Sequence, residues 1–148
     1  MKYFIYFSWT GNGDYIASFL KERGYEPVKV ETRKKLGKGG FFKIFTYGFK
    51  AGIGGKTPIK DIALNLKEDD LVIIGSPIWN DRLSTPINTL LSKFNFNKEN
   101  TRFILYPAGE DTKNSLAQIA KLGFIEKPIV YAHPLKSQEK AVEILKDL

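Results

Sequence analysis

Ser8, Thr10 and Asn12 alternate with Trp9, Gly11 and Gly13 in the stretch Ser8-Trp9-Thr10-Gly11-Asn12-Gly13. Hydroxyl and amide side chains donate to anions, and glycines allow a positive φ that lets the backbone close on a ligand. The preceding Tyr3-Phe4-Ile5-Tyr6 suits a strand, and Ile16, Ala17, Phe19 and Leu20 recur afterwards at helical spacing. Strand, polar turn and helix therefore follow in that order. Unpaired N–H groups and the positive end of a helix dipole favour a phosphate at such a turn. No Lys or Arg lies inside it, so oriented dipoles would do most of the holding.

Two later segments have comparable character. Gly75-Ser76-Pro77-Ile78-Trp79-Asn80-Asp81-Arg82 reads as a polar loop in which Trp79 offers a surface for a flat ligand. Offset stacking adds about 0.5 to 1.5 kcal/mol beyond area burial. Pro107-Ala108-Gly109-Glu110-Asp111 is small and acidic, and its backbone amides suit the edge of a ring. A phosphate turn, an aromatic platform and a compact polar loop together describe a place for flavin mononucleotide (FMN).

The elements that must position these segments are legible as a series. Residues 15–23 form a first helix, ended by Gly24, and 27–32 alternate as a strand. A helix-like pattern over 41–53 carries Phe41, Phe42, Ile44, Phe45, Phe49 and Ile53. Leu71-Val72-Ile73-Ile74-Gly75 reads as a central parallel strand. A helix opens at Ser84-Thr85-Pro86, with the Ser84 hydroxyl as its cap. Strands follow at 102–106 and 129–132, separated by a helix capped by Asp111 or Thr112, and Ser137 opens a last helix. Five strands alternating with five helical segments imply an α/β fold, a three-layer α/β/α sandwich around a parallel sheet, with a ligand outside the carboxyl ends of the strands. Residues 1–148 are expected to form one domain.

The chain resembles the flavodoxin family. Ser8-Trp9-Thr10-Gly11-Asn12-Gly13 is similar to the family's phosphate loop, and Gly75-Ser76-Pro77-Ile78-Trp79 with the Pro86 helix is similar to its flavin-flanking segment. The resemblance implies a five-stranded parallel sheet of order 2-1-3-4-5, one non-covalent FMN, and electron transfer between a reductase and an acceptor protein. It further implies that Ser8, Thr10 and Asn12 bond the phosphate together with the amides from Trp9 to Gly13. Pro77, Ile78, Trp79 and Asn80 would line one side of the isoalloxazine. Pro107, Ala108, Gly109, Glu110 and Asp111 would lie along its pyrimidine side. Many flavodoxins carry threonine where Gly13 stands, and many are acidic where this chain is basic.

Composition narrows the chemistry. Cysteine is absent, and His133 is the only histidine. Thiolate chemistry, disulfides and Cys- or His-rich metal sites are thereby excluded, and no catalytic side chain or metal ligand is expected. The formal charge is +7. Arg33, Lys34, Lys35, Lys38, Lys43, Lys50, Lys56 and Lys60 form a run without an acid, suited to steering acidic redox partners. The phenylalanines interleaved with it fit a buried helix face better than a nucleic-acid stacking surface. An NAD(P)H-dependent FMN reductase acting on quinones or nitro compounds is the alternative to a carrier. Gly11-Asn12-Gly13 with Glu31 only partly imitates a dinucleotide fingerprint, since Ile16 stands at its third glycine. Gly54-Gly55-Lys56-Thr57 lacks the first glycine of a nucleoside-triphosphate loop and reads as a basic surface turn. The first residues read as a strand and not as a secretion signal, and with no apolar run near the ~20 residues of a membrane span the expected location is cytoplasmic.

Overall fold

The computed structural model describes residues 1–35, 54–109 and 111–148. The expected helix over 41–53, Lys38, Lys43 and Lys50 of the basic run, and Glu110 lie outside them. Strands β1 (Lys2–Tyr6), β2 (Glu26–Lys29), β3 (Leu71–Trp79), β4 (Arg82–Leu83), β5 (Thr101–Pro107) and β6 (Ile129–Val130) form one sheet. Its order is β2-β1-β3-β5-β6, with β4 pairing β3. The five strands along that path pair in parallel, and β4 alone is antiparallel. Leaving β4 aside, this is the 2-1-3-4-5 order implied by the resemblance.

Parallel crossovers place apolar surface on both faces of the sheet, which explains the unbroken Leu71-Val72-Ile73-Ile74 run. One face gathers Ile5, Val72, Ile74, Ile87, Leu90, Phe103 and Leu105. The other gathers Phe4, Tyr6, Ile16, Leu20, Ile73, Ile104 and Leu145. Burying each large apolar side chain contributes roughly 1.5 to 3 kcal/mol. Helix α1 (Asn12–Lys21) belongs to the second face, and α2 (Thr85–Lys93) and α3 (Lys113–Lys121) to the first.

Several boundaries differ from the sequence reading. Strand β2 ends at Lys29, although Val30 still donates its N–H to the Tyr6 carbonyl at 2.7 Å. Thr32 then bridges to Ile59 in antiparallel sense, so the alternating pattern past Lys29 serves a return segment and not the sheet. The last strand is only Ile129–Val130. Ser137 does not open a continuous helix. Two 3₁₀ turns, Pro134–Lys136 and Gln138–Lys140, precede the short α4 (Ala141–Ile144). His133 enters the first of them with φ 49°, and that left-handed entry sets a tight turn ahead of a proline.

The largest revision concerns 75–83. The segment read as a loop after Gly75 continues as strand to Trp79, turns at Asn80 and Asp81, and returns as β4. Both turn residues have positive φ, 49° and 53°, and Trp79 pairs with Arg82. This is a two-residue hairpin of the mirror-image type that matches strand twist. The Gly54-Gly55-Lys56-Thr57 turn is also better anchored than a surface turn. Thr89 Oγ1 accepts from the Thr57 N–H at 3.0 Å, Asn88 Nδ2 donates to the Gly55 carbonyl at 3.0 Å, and the Thr57 and Thr85 hydroxyls lie 2.6 Å apart.

Candidate functional site

Between β1 and α1, Gly11 takes φ 91° and stands at the helix N-cap. That left-handed conformation suits glycine and folds the turn over the helix start. The helix begins at Asn12, three residues before the sequence reading placed it. Ser8 Oγ accepts N–H bonds from Gly13 at 3.1 Å and from Asp14 at 3.3 Å. The serine thus caps the helix from outside it and ties the turn to the first helical amides. Asn12 holds the turn from the other side: its Oδ1 accepts from the Leu135 N–H at 3.1 Å, and its Nδ2 donates to Thr10 Oγ1 at 3.3 Å. A Cβ on Gly11 would lie 3.1 Å from Leu135 Cδ1, so the 3₁₀ turn Pro134–Lys136 is packed directly against it.

Gly13 has a reason of its own. A Cβ there would approach Tyr106 Oη at 2.8 Å, and Ser8 Cβ and Tyr6 Cδ2 at 2.9 Å. Threonine at this position has no room. Tyr106 itself donates its phenol to the Phe7 carbonyl. Burial, then Tyr6 and Asp14, push the Tyr106 phenol well above the ordinary range, so it stays a neutral donor. Asp14 lies between Lys29 Nζ at 2.6 Å and Tyr6 Oη at 3.1 Å. Partial burial opposes its charge, but bonds from Lys29, Ser8 and Tyr6 outweigh this and hold its carboxyl below the usual pKa. The only carboxylate of the turn is therefore neutralised by a partner lysine.

At the carboxyl edge of the sheet the three expected segments meet. Phe7 donates its N–H to the Gly75 carbonyl at 3.1 Å. Ile78 pairs with Pro107 across β3 and β5. The Trp9 and Trp79 rings stand 5.5 Å apart at 71°, and Phe7 meets Trp79 edge-on at 5.7 Å. Trp79 is only 8% exposed and belongs to the core. It stands at the end of β3 and not on a loop, whereas Trp9 is half-buried. Pro77 and Ile78 are half-buried, Asn80 is exposed, and Ala108, Gly109 and Asp111 are exposed past the buried Pro107.

The expected caps are redistributed. Ser84 stands at the N-cap of α2 but makes no side-chain cap bond. Its hydroxyl meets Ser76 Oγ at 3.1 Å, which also accepts the Ser84 N–H. Thr112 occupies the N-cap of α3, again without a side-chain cap. Asp111 Oδ1 accepts the Lys113 N–H at 3.2 Å, and the next two amides turn to Asp81. Sequence reading placed Asp81 in the second segment without a role, and missed Tyr106, Lys29 and Leu135 as parts of this edge. Only Asp81 carried a local signal, the Asn80-Asp81 pair suited to a tight turn.

The whole chain can be compared with solved structures on this geometry. A candidate flavoprotein from Bacteroides uniformis ATCC 8492 superposes with a TM-score of 0.72 at 18% identity, covering 98% of this chain and 97% of that one. The fold is shared with flavoproteins. A flavoprotein from Lactobacillus acidophilus NCFM, solved in complex with FMN, gives a TM-score of 0.64 at 20% identity over 93% of this chain and 96% of that chain. A candidate flavoprotein from Bacteroides eggerthii DSM 20697 gives 0.66 at 18% identity, covering 88% and 84%. In sequence, no family model and no curated protein matches the chain. No described helix is long and apolar enough to cross a membrane, and no metal-binding group of His, Cys, Asp and Glu occurs among the described residues.

Proposed function

We propose that this chain binds one FMN without a covalent bond at the carboxyl edge of the sheet and carries electrons between partner proteins. The observation that carries this reading is the meeting of a glycine-kinked turn at a helix N-terminus with an indole pair and the 107–109 segment on one edge. A fold shared with a flavoprotein solved with FMN supports it.

The residues present fit the group. The Ser8–Asn12 turn is held rigid by the Ser8 and Asn12 bonds, and Gly11 and Gly13 keep side-chain bulk away from it. Its dipoles would face the phosphate, with Ser8 and Thr10 hydroxyls beside them. Lys29 cancels the Asp14 charge that would otherwise repel a dianion. Half-buried Trp9 is the indole placed to contact the ring, and Trp79 supports it edge-on from the core. Pro77, Ile78, Ala108, Gly109 and Asp111 would flank the ring, as would Asn80 at the hairpin tip. When bound, the flavin supplies the redox chemistry, and the protein supplies position and electrostatics.

Three acids described around this edge, Asp14, Asp81 and Asp111, each take part in a structural hydrogen bond. That favours a carrier over an enzyme with side-chain acid–base groups. The experiment is a visible absorbance spectrum of the purified protein, followed by titration with FMN. A yellow protein, or a colourless one that binds FMN at micromolar levels, is expected; refusal of added FMN overturns the reading. Mixing the loaded protein with NADH or NADPH then separates the roles. Bleaching only after a separate reductase is added supports the carrier, and rapid direct bleaching supports the reductase reading.

A further inference from the structure

The hairpin β3–β4 and helix α3 follow different strands, yet one side chain joins them. Asp81 lies at the hairpin tip with φ 53°. Its Oδ2 accepts the Asn114 N–H at 2.9 Å, and its Oδ1 accepts the Ser115 N–H at 3.3 Å. The Ser115 hydroxyl, fully buried, lies 3.3 Å from the same oxygen and 2.9 Å from the Thr112 carbonyl. The residue that should cap α3, Thr112, makes no side-chain cap bond. Capping of this helix has been handed to a residue more than 30 positions earlier in the chain. A second tie lies one turn further on, where Gln118 Oε1 accepts the Leu83 N–H at 3.1 Å and Gln118 Nε2 donates to Asn88 Oδ1 at 3.1 Å.

The bond has a consequence for the two flanks of the proposed ring slot. Residues 77–80 run directly into Asp81, and Asp111 and Thr112 run directly into α3. A carboxylate bonded to the first turn of α3 therefore fixes one flank against the other before any ligand arrives. Preorganisation of this kind raises affinity by removing the cost of ordering two loops on binding.

We propose that Asp81 is a positioning residue for the flavin ring: it clasps the 77–80 flank to the start of α3 behind Asp111 and Thr112, and acts on the ring side without acting on the phosphate turn. This inference rests on the FMN reading above. Asn80-Asp81 forms a mirror-image turn in which glycine is also at home, so Asp81→Gly removes the carboxylate without straining the backbone.

The test is a pair of titrations, with FMN and with riboflavin, which lacks the phosphate, on the wild type, Asp81→Gly, Asp81→Asn and Ser115→Ala. Asp81→Gly is expected to weaken both ligands by the same factor, about tenfold, the size of a lost helix cap. Inorganic phosphate, read as a competitor of FMN, should keep its wild-type affinity. Asp81→Asn retains an acceptor oxygen and should recover most of the loss. Ser115→Ala removes one donor while leaving the carboxylate, and should cost about two- to threefold. In the ligand-free protein, hydrogen exchange at the Asn114 and Ser115 amides should speed up in Asp81→Gly. Wild-type riboflavin affinity in Asp81→Gly, or a loss confined to FMN, overturns the inference alone. A wild type that binds neither flavin overturns the FMN reading and this inference with it.

Discussion

The opening turn and the hairpin stand side by side at one edge, but they are held by different means. Around 8–14 the fastening is mostly local: Ser8 reaches Gly13 and Asp14, Asn12 reaches Thr10, and a left-handed Gly11 closes the loop. Around 75–83 the local pairing of Trp79 with Arg82 and the Ser76–Ser84 bonds are joined by long-range ties, with Asp81 on α3, Leu83 on Gln118 and Trp79 against Phe7 and Trp9. The opening turn is fastened largely by its neighbours, whereas the hairpin is also locked to a helix more than 30 positions away. Six letters announce the first; of the second, only the Asn80-Asp81 turn is legible.

The sharpest way to break this comparison is through the two indoles. Trp79→Ala removes a core side chain that is 8% exposed and should cost about 3 to 5 kcal/mol in urea unfolding. Trp9→Ala, at a half-buried position, should cost about 1 to 2 kcal/mol while taking the larger share of any loss in flavin affinity. Equal stability losses would erase the distinction between an anchor and a contact surface. Gly13→Ala comes next, with an expected loss of about 1 to 3 kcal/mol from overpacking against Tyr106, Ser8 and Tyr6. Unchanged thermal stability in that variant would show that the turn has room for a side chain after all.

Asp81→Asn should lower stability by about 1 kcal/mol at neutral pH, as a weakened cap does, and the pH dependence carries the sign. Burial opposes the Asp81 charge, but the Asn114 and Ser115 amides, the Ser115 hydroxyl and the neighbouring Asp111 side chain overcome it and hold the carboxyl below its ordinary pKa. A carboxyl depressed in the folded state stabilises above its unfolded value, about 3.9, and loses that contribution as pH falls through the folded one. The gap between wild type and Asp81→Asn should therefore be full near neutrality and close in acid. A gap that persists at pH 2 would assign it to shape and not to charge. The smallest effect belongs to Lys29→Met. Its partner Asp14 is 42% exposed, so stability should change by only about 0.2 to 1 kcal/mol, and less in high salt. FMN affinity should fall about two- to threefold by fluorescence titration, as Asp14 regains an uncompensated charge.

What could be read in the letters follows the same division. Leu71-Val72-Ile73-Ile74 announced a doubly covered strand, and Ser84-Thr85-Pro86 announced a helix start, because apolar runs and prolines act within a few residues. Trp79 read as part of a loop because Ser76, Asn80 and Asp81 are polar and Pro77 suggests a turn, while the aromatic residues packed on it, Phe7 and Trp9, come from the start of the chain. The cap of α3 was sought in Asp111 and Thr112, next to it in sequence, and was found mainly in Asp81. Gly13 was legible as a permissive residue, but the Tyr106 phenol that demands it lies across two strands. The hydroxyls of Thr57 and Thr85 and the Asn88 amide gave no periodic signal at all, since a polar seam between a return segment and a helix has none.

Among the described residues, the sheet closes at β2 on one side and β6 on the other. Strand β2 is four residues long and contains Pro27, which has no N–H to offer, while Glu26 and Lys29 at its ends are exposed and charged. Strand β6 is two residues long. Neither border presents much unpaired backbone among the described residues, and Pro27 with the exposed charged ends of the longer one disfavours an added strand there.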